Sequence, residues 1–357
     1  MLKLDEPKER QSMYMKILIA ACFYYSGLVE LRRWWIQQLG PRLIILNYHT
    51  AAGGDLRKHL LYLQRHYRLL HFEEALEELY SPSVPKRQDR RTPLAITFDD
   101  GYYDNYTHCL ALACELHIPL TIFLIPGYIE TGDRFWWLEP DYLVTHASVS
   151  EVTIEGQTYH LNTSKERAAL AKAIDFRIHF ASSVGERETY LKEVRQLLAV
   201  PYAVTLEEKS NLPISWAEVE AFKKSEWISF GSHTMHHPLL AYLTDPSESD
   251  YEVRESRTVL VQHLKSPVRS FAYPVGKFGD IGEQGVRSVQ KAGYTWAVTT
   301  INGINTPKRN PYLLHRFGVD VGEHWLIIAA KASGVWNFFT NLARMKFLQK
   351  LRIGAHK

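Results

Sequence analysis

The chain has 357 residues, 46% of them hydrophobic and 23% charged, with 42 Lys+Arg against 39 Asp+Glu for a formal net charge of +3. That balance excludes collagen-like, low-complexity and intrinsically disordered classes, and it carries no field that would mark a nucleic-acid binder. The three cysteines (Cys22, Cys109, Cys114) imply neither a disulfide framework nor a cysteine-based zinc site.

In chain order, residues 12–39 form an apolar and aromatic helical segment whose uninterrupted core, Ile17–Val29, is shorter than the ~20 residues that a spanning helix needs. Tyr24, Tyr25, Trp34, Trp35, Arg32 and Arg33 suit a helix lying at a membrane interface, and a core helix without membrane contact is the alternative. Leu43–Tyr48 is a short apolar run read as a buried strand. A helical region follows over Leu56–Tyr80, then a charged loop over Ser81–Arg91. Strand Leu94–Phe98 ends in Asp99-Asp100-Gly101; a helix over Tyr106–Leu116 leads to strand Leu120–Ile125.

Residues 150–161 alternate around Glu155-Gly156 as a small hairpin, and Ser164–Leu198 is charged and helical. A helix over Trp216–Lys224 precedes strand Trp227–Phe230. Strand Ser270–Tyr273, a helix over Gln284–Ala292, and strands Thr295–Thr300 and Leu313–Val319 complete the set. Alternating strands and helices imply an α/β fold with a parallel sheet, as a barrel or doubly wound. From His324 to Lys357 every charged residue is basic and aromatics are interleaved, which suits an anionic membrane surface.

The chemistry falls at the C-terminal ends of the strands, where parallel folds collect ligands and catalysts. His49 follows the first strand, Asp99 and Asp100 the second, and His233 and His237 follow Trp227–Phe230. Two histidines four residues apart share one face of a helix or turn, and with one carboxylate they make a common hydrolytic metal set. The adjacent acids can divide the work, one ligating and the other accepting a proton. His236, between the pair, is read as a spectator.

TFDDG (97–101), GSHTMHHPLL (231–240) and FAYPVG (271–276), with ILNYH (45–49), FWW (135–137) and ISW (214–216), resemble the motifs of the polysaccharide deacetylases. These share the NodB homology domain of carbohydrate esterase family 4, and the likeness runs from about residue 42 to 320. The resemblance implies a distorted (β/α) barrel over 42–320 with a helical insert at about 141–212. It is flanked by a helical, membrane-leaning segment (1–41) and a basic amphipathic helix (321–357). The implied activity is metal-dependent removal of N-acetyl groups from amino sugars of a surface or lipid-linked polysaccharide. A deformylase of a polyprenyl-linked amino sugar and a non-catalytic glycan-binding barrel are the alternatives.

Carried over by motif, Asp100, His233 and His237 would hold a divalent metal (Zn2+, with Co2+ or Ni2+ possible), and Asp99 would be the general base. Gly101, Tyr102, Tyr273 and Pro274 would lie at the oxyanion and substrate positions. The family's usual C-terminal Leu-x-His is not found, and Ala272 stands where its third motif carries an arginine. His49 is the expected acid, from the same strand moved to the N-terminus, with His315 the alternative and Arg316 a candidate to steady Asp99. The expected partners are therefore a glycan and a membrane surface, with no nucleic acid. The expected location is membrane-associated, the cytoplasmic face favoured.

Overall fold

The computed structural model describes residues 7–81, 89–201 and 206–337. The apolar runs become one parallel sheet of eight strands, which curls into a half-barrel flanked by helices. Its strands are β1 (Ile44–Tyr48), β2 (Arg68–Leu69), β3 (Pro93–Phe98), β4 (Leu120–Leu124), β7 (Ile228–Ser232), β8 (Ser270–Ala272), β9 (Trp296–Val298) and β10 (Phe317–Gly318), while β5 (Glu151–Ile154) and β6 (Gln157–His160) form the separate hairpin. Spatial order is β10-β1-β3-β4-β7-β8-β9, with β2 pairing beside β3. Every residue of β1 and β4 is buried, as expected for parallel strands covered on both faces.

Helices α1 (Pro7–Tyr25) and α2 (Leu28–Gln38) precede the sheet; α3 (Leu56–His66), α4 (Phe72–Tyr80) and α5 (Leu110–Leu116) flank its first strands. Helices α6 (Pro126–Thr131), α7 (Glu139–His146), α8 (Ser164–His179) and α9 (Val184–Leu197) follow β4. The last are α10 (Trp216–Phe222), α11 (Pro246–Leu264), α12 (Phe278–Lys291) and α13 (Trp325–Ala332). Local sequence sets several of these boundaries. Thr163 and Ser215 accept from the backbone N–H of Glu166 and Glu218, whose carboxylates reach back to the cap residues. Helices α7, α8 and α9 and the hairpin bury a core of their own around Leu143, Leu170, Ile174 and Val194.

Two expected elements are corrected. The helical region over 56–80 is two helices, because Arg68–Leu69 leaves the helix to pair with Pro93–Leu94. The strand expected over Leu313–Val319 is split: Leu314 bridges to Val298 of β9, while Phe317 and Gly318 pair with Leu46 and Asn47 of β1. Between them the Asn305 side chain takes both the N–H and the carbonyl of His315. One short segment thus spans the gap between β9 and β1 and cannot pair along its length with either.

No single described helix is long and apolar enough to cross a membrane; the pair Gln11–Tyr25 and Leu28–Gln38 passes on length and composition together, bent by 63°. Ala20 of α1 packs on Leu326, Ile327 and Ala330 of α13, with Tyr24 edge-on to Trp325. The basic helix expected toward the C-terminus lies, beyond residue 337, outside the described residues.

Candidate metal centre and active site

Strands β3 and β7 end within reach of each other because only β4 separates them. Asp100 leaves β3 in a left-handed conformation, φ 72°, and Gly101 follows at φ 71°. A Cβ on Gly101 would lie 2.8 Å from Leu124 Cδ2, so this turn requires glycine both for its dihedral and for its space. His233 leaves β7 with its N–H on the Leu124 carbonyl, and the segment to His237 is a turn rather than a helix, with Thr234 at φ 65° and His237 at φ 55°. Left-handed backbone at non-glycine residues costs of order 1–3 kcal/mol each and is characteristic of functional sites.

These turns bring Asp100, His233 and His237 together, all buried. Asp100 Oδ1 lies 3.4 Å from His233 Nε2 and 3.7 Å from His237 Nε2. Donors at about 2.0–2.2 Å from a tetrahedral ion stand roughly 3.4 Å apart, so the spacing fits a divalent metal. Asp100 Oδ1 is buried with no hydrogen-bond partner among the described residues, as a ligand atom would be. His233 Nδ1 lies 2.7 Å from the Ala272 carbonyl of β8, which requires the proton on Nδ1 and leaves Nε2 its lone pair. Burial disfavours a charge on His233, but the Asp100 and Asp99 carboxylates outweigh it and its pKa is raised. Burial and the neighbouring His233 push His237 well down, into the neutral form that ligates.

Asp99 points elsewhere. Its two oxygens accept from Arg316 Nη1 and Nη2, each at 2.7 Å. Arg316 is fully buried, and its remaining donors reach Asn47 Oδ1, Thr97 Oγ1 and the Thr299 carbonyl. Burial alone would raise the Asp99 pKa; Arg316, with His233 and His49 behind it, instead lowers it to about 2. Arg316 therefore occupies the role left vacant by Ala272, from the segment that closes the barrel.

His49 is exposed at the end of β1, and a positive charge there acts on both Asp99 and His237. Its backbone is held by two residues that sequence reasoning missed. Asn105 Nδ2 donates to the His49 carbonyl, and Asp104 Oδ2 accepts from the Ala51 and Ala52 N–H groups. Both lie one turn beyond the TFDDG segment, a weak signal in itself. His315 does not join the site. Arg316, its neighbour, takes the inward direction, and His315 packs against Gly303 with its pKa lowered to about 4 by burial and by Arg309.

The other expected site residues divide. The Gly101 N–H is already taken by the Asp99 carbonyl, whereas the Tyr102 N–H has no acceptor among the described residues. The Tyr102 hydroxyl accepts from Trp137 Nε1 at 2.8 Å, and the Trp137 ring lies 4.5 Å from that of His237. Tyr273 is corrected: its ring is wholly buried and its hydroxyl donates to the Tyr312 carbonyl, so it packs the core. Pro274 is buried in the tight turn after β8. His236, read as a spectator of the metal pair, lies outside the Asp100-His233-His237 cluster and pairs with buried Glu252 at 2.7 Å.

The family model described as polysaccharide deacetylase matches residues 86–297. YxkH of Bacillus subtilis (strain 168), provisionally named a polysaccharide deacetylase, is 24% identical over 299 residues, 81% of this chain and 75% of that protein. IcaB from Ammonifex degensii superposes with a TM-score of 0.53 at 18% identity, over 82% of this chain and 98% of its own. The BpsB deacetylase domain from Bordetella bronchiseptica gives 0.51 at 13% identity, over 79% and 97%. Both structural matches agree with the deacetylase (β/α) barrel.

Proposed function

Because the chain belongs to the polysaccharide deacetylase family, whose members hydrolyse the amide bonds of N-acetyl groups, we propose a metal-dependent hydrolase that removes N-acetyl groups from amino sugars of a surface or lipid-linked polysaccharide. The observation that carries this reading is the convergence of Asp100, His233 and His237 beside an Asp99 held by Arg316. Asp100, His233 and His237 hold a divalent ion, with Zn2+ first and Co2+ or Ni2+ compatible with the same donors. When bound, such an ion supplies a Lewis-acid charge that polarises the acyl carbonyl and makes water acidic. Asp99 accepts the proton of the attacking water. Its low pKa keeps it ionised, and the Arg316 fork fixes its orientation. The Tyr102 N–H faces the developing oxyanion. His49 donates a proton to the departing amine.

The test is release of acetate from N-acetylglucosamine oligomers by protein of measured metal content, with formate release from a formylated amino sugar assayed beside it. Wild type should release acetate, Asp99→Asn should not, and Asp100→Ala should lose the metal. Metal-loaded wild type as inert as Asp99→Asn on both substrates would overturn the reading in favour of a glycan-binding barrel.

We further propose that the protein works at a membrane surface, on its cytoplasmic face. From Tyr14 onward helix α1 is apolar on both sides apart from Lys16: one side packs on α13, and the other leaves Tyr14, Met15 and Leu18 more than half exposed. Trp34, Trp35 and Leu31 of α2 continue that bare surface. A helix apolar all round belongs in a core or in lipid, and tryptophan and tyrosine favour the headgroup level. The basic residues from Arg344 to Lys357 add attraction to anionic lipid. Co-sedimentation with phosphatidylglycerol vesicles tests this: wild type should bind and Trp34→Ser/Trp35→Ser should bind less. Equal recovery of both in the supernatant would defeat it, and a reporter fused after Lys357 reads the side.

A further inference from the structure

Most backbone groups of the turn from His233 to His237 are taken by other elements. Its first N–H groups go to β4 and to α11: His233 N–H donates to the Leu124 carbonyl at 2.8 Å, Met235 N–H to the Glu252 carbonyl at 3.1 Å, and His236 N–H to Glu252 Oε2 at 2.8 Å. His237 N–H donates within the turn, to Thr234 Oγ1 at 2.9 Å. The three consecutive carbonyls are claimed from three different places. Gly127 N–H of α6 reaches Met235 O at 3.0 Å, Arg187 Nη2 of α9 reaches His236 O at 2.9 Å, and Trp136 Nε1 reaches His237 O at 3.0 Å.

Two of these partners are buried charges. Glu252 is 1% exposed and also holds the His236 ring through Oε1; Arg187 is 3% exposed, with its guanidinium over the Trp136 ring at 5.2 Å. Burying an ion is costly unless its hydrogen bonds are well placed; both Glu252 carboxylate oxygens serve the turn, while Arg187 pairs with Glu188 and gives one further bond to His236 O. That turn needs outside support, because Thr234 and His237 both sit in left-handed backbone that they would not adopt unaided.

We infer that Arg187 and Glu252 are positioning residues of the metal centre, clamping the His233–His237 turn from opposite sides so that both imidazoles are presented to the ion together. Arg187 comes from the helices inserted between β4 and β7, so that insert is part of the metal centre's support and not only a wall beside it. This rests on the metal reading given above, yet it makes a separate claim about affinity.

The experiment titrates apo full-length protein with Zn2+ against a chromophoric chelator, alongside thermal unfolding of the apo form. Arg187→Met and Glu252→Gln should each weaken Zn2+ binding by about 10–100-fold, the range seen when the supports of metal ligands are removed. Arg187→Lys, which keeps a cationic donor, should recover part of the loss. Folded variants that bind Zn2+ within twofold of wild type would overturn the inference. Wild type that binds no Zn2+ would instead overturn the metal reading. If either variant fails to fold, Trp136→Phe decides, since it leaves an aromatic ring beside Arg187 while deleting the donor to His237 O: weakened binding supports the clamp, and unchanged binding refutes it.

Discussion

Arg316 and Asp99 meet fork to fork, Nη1 on Oδ1 and Nη2 on Oδ2, both at 2.7 Å and both wholly inside the protein. Breaking such a pair from one side leaves a buried charge uncompensated, at a cost of about 3–5 kcal/mol. Arg316→Met should therefore lower urea stability by that order and abolish turnover. Arg316→Lys keeps the charge but loses the planar two-point contact, so it should fold better than the methionine variant while still losing most of kcat. Urea melts and acetate release on the same preparations check both, and a fully active lysine variant would show that the charge alone suffices.

Asn105 holds the His49 carbonyl and Asp104 the N–H groups of Ala51 and Ala52 just beyond it, while among the described residues the His49 ring has no hydrogen-bond partner. His49→Gln should reduce kcat by about 10²–10⁴, the usual worth of a positioned proton donor, while leaving Zn2+ affinity unchanged. Asp104→Ala should do part of the same damage at a distance, because two backbone N–H groups near His49 lose their acceptor, at about 1–3 kcal/mol for each left unsatisfied. His315→Gln should leave kcat alone. Steady-state rates for the three variants separate the proposed acid from its support and from the other candidate.

The ends of β1 and β3 were legible because parallel strands buried on both faces read as apolar runs, and a polar residue directly after such a run lands on one edge of the sheet; β7, Ile-Ser-Phe-Gly-Ser and only partly buried, was legible from the motif that follows it. Asp99, Asp100, His233 and His237 follow from that rule and from their motifs. Arg316 was legible only as a neighbour of His315; its approach to Asp99 depends on how the segment after β9 closes the barrel, which no local period encodes. The same holds for Gly127, Arg187 and Glu252. Each lies on an ordinary helix, and their meeting at one turn is a product of tertiary packing. Tyr273 was misjudged because its motif places it at the catalytic edge while its ring turns into the core.

The pKa of His315 implies a pH dependence of stability. Its folded value of about 4, set by burial and then by Arg309, lies below the ordinary 6.5. The unfolded chain therefore takes up its proton first, and the neutral ring favours the folded state in full only above pH 6.5. That contribution is lost progressively as pH falls from about 6.5 towards about 4. Wild-type Tm should drop between pH 7 and pH 5, and His315→Gln should drop less. His59, likewise lowered mainly by burial, should keep the variant's curve from becoming flat. Thermal melts across that range, at constant ionic strength, read the difference; parallel curves would mean that His315 titrates alike in both states.

Two glycines make opposite predictions from the same substitution. A Cβ on Gly127 would lie 2.4 Å from the Met235 carbonyl and 2.7 Å from the His236 ring, and the first of these contacts is backbone, which no rotamer can relieve. Gly127→Ala must displace the turn that carries His233 and His237, so it should cost about 1–3 kcal/mol as overpacking and weaken Zn2+ binding as well. Gly185 sits in the first turn of α9 with nothing within 4 Å of the added carbon and no left-handed dihedral to protect. Gly185→Ala should be neutral or gain up to about 1 kcal/mol from reduced freedom in the unfolded chain, with Zn2+ affinity unchanged. Measuring urea stability and Zn2+ affinity for both variants tests whether the α6 approach to the metal turn is as close as 2.4 Å implies, and a Gly127→Ala protein that behaves like Gly185→Ala would show that the turn can move aside without loss.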